Sequence, residues 1–135
     1  MMTPLRSELL PVREESHILL IRQLVRECAT ELGFGVFDQT KLVTAASELS
    51  RNTLIHGGGG TLLLETYVDQ DRRGVRLTFE DQGPGIADLE QAMTNGFTTK
   101  GGLGLGLGGS KRLVNEFEIV SRVGEGTRVT ATRWI

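Results

Sequence analysis

Two acidic side chains, one amide and a run of glycines are the residues of this chain whose types and spacing point to chemistry. Glu48 and Asn52 lie four residues apart in a segment with helical periodicity. This spacing puts both side chains on one helix face, with Cβ atoms about 5–6 Å apart. The carboxylate suits a general base for an attacking hydroxyl, and the amide oxygen is a hard ligand suited to Mg²⁺. The alternatives are a solvated glutamate for Glu48 and a helix-surface amide for Asn52. The position of Glu48 one turn from Asn52 favours the base, while both interpretations of Asn52 stay open.

A second candidate carboxylate is Asp81, which ends a mostly apolar segment and is followed by Gly83, Gly85 and Ile86. A carboxylate accepts hydrogen bonds, so Asp81 could receive one from an exocyclic amine and select adenine over guanine. A strand-end cap is the alternative interpretation. Thr127 follows a Gly-Glu-Gly turn, and its hydroxyl either completes a network with Asp81 or belongs to an ordinary strand threonine.

A second glycine-rich stretch, residues 101–109, alternates glycine with leucine. The missing side chains let backbone N–H groups close around a phosphate chain, while the leucines anchor the loop to a core. The stretch lacks the Lys-Ser or Lys-Thr ending of a P-loop and the strand spacing of a dinucleotide fingerprint. Lys100 could reach a γ-phosphate or remain a solvated lysine. The candidate nucleotide contacts here are Lys100, Gly102, Leu103, Gly104, Leu105 and Gly106.

Length and charge limit what else the chain can be. Its 135 residues suit a single domain, 1–135. The formal net charge of −2 gives no electrostatic reason to expect nucleic acid or an anionic membrane as partner. Cys28 is the only cysteine and lies among apolar residues, which predicts a buried thiol and a cytoplasmic protein. The apolar run Ile18–Ile21 is far shorter than the ~18 residues of a membrane span.

The helices that must position these residues follow from apolar periodicity. One helix is predicted from Glu15 to Leu32, where glycines end the pattern. A second is predicted to begin after Asp38 as N-cap and to end at His56-Gly57. A third is predicted over 110–116, and a short one near 88–93 within a long lid over 82–109.

Residues rich in Thr, Val, Leu and aromatic side chains predict the strands. A hairpin is expected from two of them around the polar residues 69–73, and another around Gly124. The predicted strands are 7–12 at an edge, 61–68, 74–80, 117–123 and 127–134. Strands and helices in this order predict an α+β fold, a two-layer sandwich with a mixed β-sheet and helices on one face.

Taken together and in this order, the motifs resemble those of the GHKL ATPase superfamily. Its N-box resembles Glu48-x-x-x-Asn52, its first glycine box resembles residues 81–86, and its second resembles residues 102–108. Within the superfamily the chain is most similar to the small RsbT-type serine/threonine kinases of bacterial sigma-factor partner switching, the kinases of the stressosome. The segments that carry this closer likeness are 31–35, 47–52, 81–86, 101–104, 111–113, 116–117 and 124–127.

The resemblance implies the Bergerat ATP-binding fold, with ATP and Mg²⁺ as cofactors. It implies that Glu48 is catalytic, that Asn52 holds the metal, and that the glycine boxes, the lid and Thr127 bind the nucleotide. It also implies a STAS-domain protein as the substrate, phosphorylated on Ser or Thr, and a PP2C-like phosphatase as a second partner. The alternative within the family is a nucleotide-controlled anti-sigma factor that sequesters a sigma factor.

Overall fold

The computed structural model describes residues 3–87, 93 and 106–135. The predicted short helix near 88–93 and most of the predicted lid lie outside these residues. The same holds for five of the candidate nucleotide contacts, Lys100, Gly102, Leu103, Gly104 and Leu105. Within the described part, no helix combines the length and the apolar character needed to cross a membrane.

Five strands form one sheet in the order β1-β2-β3-β5-β4, and each neighbouring pair is antiparallel. Buried and more exposed residues alternate along β1, β2 and β3, as expected for a sheet covered on one face. The strands are β1 (Arg6–Val12), β2 (Gly60–Asp69), β3 (Arg72–Asp81), β4 (Glu116–Arg122) and β5 (Gly126–Trp134).

Three helices complete the described fold: α1 (Glu15–Glu31), α2 (Val36–Ile55) and α3 (Gly106–Arg112). The core lies between these helices and one face of the sheet. Its fully buried side chains come from both layers, including Ile21 and Val25 of α1 and Leu77 and Phe79 of β3. Cys28 is also in this core, and burial raises the pKa of its thiol to about 11. The predicted α+β sandwich with helices on one face is confirmed.

The start of α2 differs from the prediction. Gly35 is the N-cap, and Asp38 lies in the first turn instead of capping it. The Asp38 carboxylate accepts a hydrogen bond from Nε of Arg133 on β5, at 3.1 Å. The same guanidinium donates to the carbonyl of Leu113, just after α3, at 2.9 Å. Asp38 therefore links α2 to the last strand, which explains its position without a capping role.

The third helix also differs from the prediction, since it spans Gly106–Arg112 and not 110–116. Glycine is a poor helix former, so its presence argued for an irregular segment. In the structure Leu107, Gly108 and Gly109 are all buried. Burial of this segment shows that tertiary packing overrides local propensity here. Glu116 begins β4 instead of ending the helix.

An aromatic ring and a cationic side chain pack together on the outer face of the sheet, which is the face away from the helices. They lie at the end of β5. The indole of Trp134 packs against Gly74, which faces it across the β3–β5 pair. The Arg72 guanidinium lies 4.0 Å from the centre of the Trp134 ring. Nε1 of Trp134 donates to a carboxylate oxygen of Glu116 at 2.9 Å. These contacts hold the end of β5 against its neighbours.

Candidate functional site

One row of residues crosses the sheet and carries two of the predicted site residues. In the strand register Gly60 faces Asp81, Asp81 faces Thr127, and Thr127 faces Ser121. Facing residues of antiparallel strands lie about 4.5–5.5 Å apart at Cβ and project to the same side. Asp81 and Thr127 are 7% and 8% exposed, respectively. The two residues therefore face each other, but the side-chain contact of Thr127 is with Ser121 and that of Asp81 is with Gly83, so the predicted network between them stays a prediction.

The loop after α2 lies directly against Asp81. A Cβ on Gly57 would be 2.5 Å from Oδ2 of Asp81. A Cβ on Gly83 would be 2.8 Å from the Cα and carbonyl oxygen of Gly57. The backbone N–H of Gly57 donates to the carbonyl of Asn52 at 3.3 Å, one turn back on α2. These contacts bring the end of α2, with Asn52, to the carboxylate at the end of β3.

The first glycine box is fixed by Asp81 and by the β4–β5 hairpin. Oδ1 of Asp81 accepts a hydrogen bond from the N–H of Gly83 at 2.9 Å, while Oδ2 has no hydrogen-bond partner among the described residues. Gly85 has φ +77°, and a Cβ there would overlap the carbonyl oxygen of Arg122. The N–H of Gly124 donates to the carbonyl of Pro84 at 2.8 Å. One oxygen of Asp81 thus orders the loop, and the other makes no hydrogen bond to a described residue.

Glu48 and Asn52 lie on α2 as predicted, and they differ from nearby polar residues of this helix in their hydrogen bonding. Glu48 is only 6% exposed. Across the described ranges neither its carboxylate nor the Asn52 amide has a hydrogen-bond partner. The hydroxyls of Ser50 and Thr53, by contrast, donate to helix carbonyls four residues back. Although the residue is mostly buried, its carboxylate oxygens are not fully enclosed polar atoms, so they remain open to hydrogen bonding.

Ser121, which the sequence reasoning passed over, contacts two of the predicted site residues. Its Oγ accepts a hydrogen bond from the N–H of Ile86 at 2.8 Å and lies 2.7 Å from Oγ1 of Thr127. A signal for it was present, because a hairpin centred on Gly124 places residues 121 and 127 opposite each other. Ser121 connects the first glycine box with Thr127. Of the predicted second glycine box, the described part begins at Gly106, the first residue of α3.

Comparison with known proteins identifies the family to which the chain belongs. The family model described as histidine kinase-, DNA gyrase B-, and HSP90-like ATPase matches residues 37–134. The chain therefore belongs to this family of ATPases, and the predicted membership of the GHKL superfamily is confirmed.

Two kinds of relative are similar over most of the chain. The serine/threonine-protein kinase RsbT of Bacillus subtilis (strain 168) is 46% identical over 124 residues, which are 92% of this chain and 93% of that protein. The anti-sigma F factor of Thermoanaerobacter sp. (strain X514) is 31% identical over 122 residues, with 84% and 82% coverage.

Two solved structures share the fold. The structure of the RsbU and RsbW domains of Rv1364c from Mycobacterium tuberculosis has a TM-score of 0.65 at 23% identity, covering 97% of this chain and 33% of that one. The mycobacterial sensor histidine kinase MprB has a TM-score of 0.55 at 18% identity, covering 95% of this chain and 97% of that one.

The contact between Gly57 and Asp81 leads to a first prediction. In the Gly57→Ala variant the added methyl group must displace the Asp81 carboxylate, and such overpacking typically costs about 1–3 kcal/mol of stability. We expect weaker ATP binding in calorimetry together with a lower melting temperature. Gly35→Ala is the control for ATP affinity, because no atom apart from its chain neighbours lies within 4 Å of the added Cβ. Full ATP affinity in Gly57→Ala would show that the position of Asp81 does not matter for binding.

Proposed function

We propose that the protein is an ATP-dependent serine/threonine kinase that phosphorylates a STAS-domain antagonist protein in a partner-switching stress pathway. The observation that carries the proposal is the position of Glu48, a mostly buried residue whose carboxylate makes no hydrogen bond to a described residue. It lies one turn from Asn52 on a helix whose end contacts Asp81. The 46% identity to a serine/threonine-protein kinase over 92% of the chain supports the same chemistry.

The described residues fit a nucleotide. Oδ2 of Asp81 is free among them to accept a hydrogen bond from the exocyclic amine of adenine. Gly83, Gly85 and Ile86 form a loop that is already ordered beside this carboxylate. The phosphates would be held by the second glycine box, with Lys100 at its start. In this arrangement adenine is selected at one end of the site, and the phosphates are bound at the other end.

A metal ion fits the amide of Asn52. An amide oxygen is a suitable ligand for Mg²⁺, and the Asn52 side chain makes no hydrogen bond with another described residue. When bound, Mg²⁺ would neutralise charge on the β- and γ-phosphate oxygens. Asn52 would thereby hold the phosphates near Glu48, which lies one turn earlier on the same helix face.

Glu48 then acts on the protein substrate. Its carboxylate takes the proton from a Ser or Thr hydroxyl as that oxygen attacks the γ-phosphorus of ATP. The new oxygen–phosphorus bond forms, and the bond to the β–γ bridging oxygen breaks with its electron pair on ADP. Burial of Glu48 keeps bulk water away from the base. The substrate hydroxyl therefore competes well with water as the acceptor of the phosphoryl group.

The partners follow from the same proposal. We take a STAS-domain protein as the phosphoacceptor and a PP2C-like phosphatase as the client that the released kinase activates. The 31% identity to an anti-sigma F factor favours one alternative, a nucleotide-controlled protein that sequesters a sigma factor. The two functions differ in whether phosphoryl transfer or sequestration controls the client.

The proposal is tested by incubating the protein with Mg-ATP and candidate STAS-domain and sigma-factor proteins. We expect mass spectrometry to find a phosphorylated Ser or Thr on one STAS protein, and a pull-down to show a weaker complex afterwards. Reactions without Mg²⁺, or with a non-hydrolysable ATP analogue, are the controls. A partner that is never phosphorylated, while a sigma factor is retained only with nucleotide, would support sequestration instead.

A further inference from the structure

Arg51 is a cationic residue of α2 that lies beside the proposed base and the proposed metal ligand. It comes three residues after Glu48 and directly before Asn52. At 3.6 residues per turn, Arg51 is about 60° from Glu48 around the helix axis, and Asn52 is about 40° from Glu48 on the other side. Glu48 is therefore flanked by a guanidinium on one side and by an amide on the other.

The guanidinium of Arg51 is paired with the start of α1 and not with Glu48. Its Nη1 donates a hydrogen bond to Oε1 of Glu15 at 2.8 Å. A glutamate and an arginine three residues apart on a helix are also close enough to pair with each other. Within the described ranges, however, the Glu48 carboxylate makes no ion pair. Arg51 therefore leaves the proposed base unneutralised.

The ion pair of Arg51 and Glu15 is one that another anion can replace. Glu15 is exposed and Arg51 is half-buried. Such pairs contribute little to stability, because water solvates both charges and the two long side chains lose conformational freedom. A terminal phosphate carries more negative charge than a carboxylate and accepts two parallel hydrogen bonds from a guanidinium. A phosphate bound near Glu48 would therefore compete well with Glu15 for this side chain.

We infer that Arg51 is a further ATP-binding residue: when ATP binds, its guanidinium leaves Glu15 and donates hydrogen bonds to the γ-phosphate. This inference rests on the proposed function, in which Glu48 takes the proton of the hydroxyl that attacks the γ-phosphorus. The γ-phosphate must then lie close to the Glu48 carboxylate. The long side chain of Arg51 can reach this position, because its Cβ is about 5–6 Å from that of Glu48.

Arg51 would keep this contact while the phosphoryl group is transferred. The bond from the acceptor oxygen to phosphorus forms, the bond to the β–γ bridging oxygen breaks with its electron pair on ADP, and the hydroxyl proton goes to Glu48. Arg51 gives up no proton in this step. It stabilises the negative charge on the phosphoryl oxygens.

The test compares binding of Mg-ATP with binding of Mg-ADP, which lacks the γ-phosphate. In Arg51→Gln the ratio of ATP affinity to ADP affinity, measured by calorimetry, should fall at least about tenfold, the usual value of a hydrogen bond to a charged group. Only the affinity for ATP should change. Arg51→Lys keeps the positive charge without the planar guanidinium, and the ratio should fall less in this variant.

Glu15→Gln is the matched control, because it breaks the same ion pair from the other side. This variant should keep the wild-type ratio or raise it, since a carboxylate no longer competes for Arg51. Thermal melting of both variants measures what the pair contributes to stability. If Arg51→Gln does not melt cooperatively, Arg51→Met replaces it, because methionine keeps the apolar part of the side chain and predicts the same loss.

Two results would overturn the inference and leave the proposed ATP site intact. One is an unchanged ratio in Arg51→Gln. The other is an equal fall of the ratio in Arg51→Gln and Glu15→Gln, because the pair would then act only by holding α1 against α2. If the wild-type protein binds neither nucleotide, the proposed ATP site fails, and the inference fails with it. If it binds ATP but phosphorylates no partner, the proposed kinase activity fails, while the measured ratios still decide whether Arg51 contacts the γ-phosphate.

Discussion

Replacing Glu48 by glutamine is expected to slow phosphoryl transfer by about 10²–10⁴-fold, the usual contribution of a general base, while ATP still binds. Glutamine keeps the size and polarity of the side chain but cannot take a proton from the substrate hydroxyl. Glu48 is 6% exposed, so solvent cannot easily replace it as the base. The effect should therefore fall on turnover and not on nucleotide affinity.

Single-turnover transfer from labelled ATP measures the chemical step, and calorimetry measures ATP affinity separately. Glu27→Gln is the control, because Glu27 is an exposed glutamate on α1. It should leave both quantities unchanged. Normal turnover by Glu48→Gln would mean that Glu48 is a helix glutamate without a catalytic role.

Replacing Asp81 by asparagine is expected to weaken ATP binding by about 10–100-fold, because hydrogen bonds to charged groups contribute about 1.5–3 kcal/mol. Asparagine still offers a carbonyl oxygen to the N–H of Gly83, so the loop and the fold should survive. Its NH₂ group then occupies the position of Oδ2. There it opposes the amine of adenine, since both groups are donors.

Calorimetry with ATP and thermal melting together test this prediction. Glu80→Gln is a close control, because Glu80 precedes Asp81 on β3 but is exposed and projects to the other face. We expect full affinity in this variant. An unchanged dissociation constant for Asp81→Asn would mean that the carboxylate serves only as a cap at the end of β3.

Features that depend on local sequence were predictable in this chain. The spacing of Glu48 and Asn52 and the position of Asp81 at a strand end follow from periods of 3.6 and 2 residues, and the structure has both. The pairing of Asp81 with Thr127 was only one of two interpretations of the sequence. The reason is that neither strand alone determines the register in which two strands pair.

What could not be predicted depends on residues far apart in the chain. Asp38 had the right type and place for an N-cap, but its partner Arg133 is 95 residues away. The glycines at the start of α3 argued against a helix, because propensity does not include the burial of a segment against the rest of the fold. Ser121 was passed over because a strand serine has no distinctive chemistry until its three contacts are known.

The place of Trp134 has a practical consequence for all of these measurements. It is the only tryptophan of the chain. It lies seven residues along β5 from Thr127, which is about 23 Å at the rise of a strand, and on the opposite face of the sheet. We therefore expect its fluorescence to report the integrity of the sheet and to change little when the proposed site is occupied. The protein thus carries its own optical probe of unfolding, against which the loss of binding in any variant can be judged.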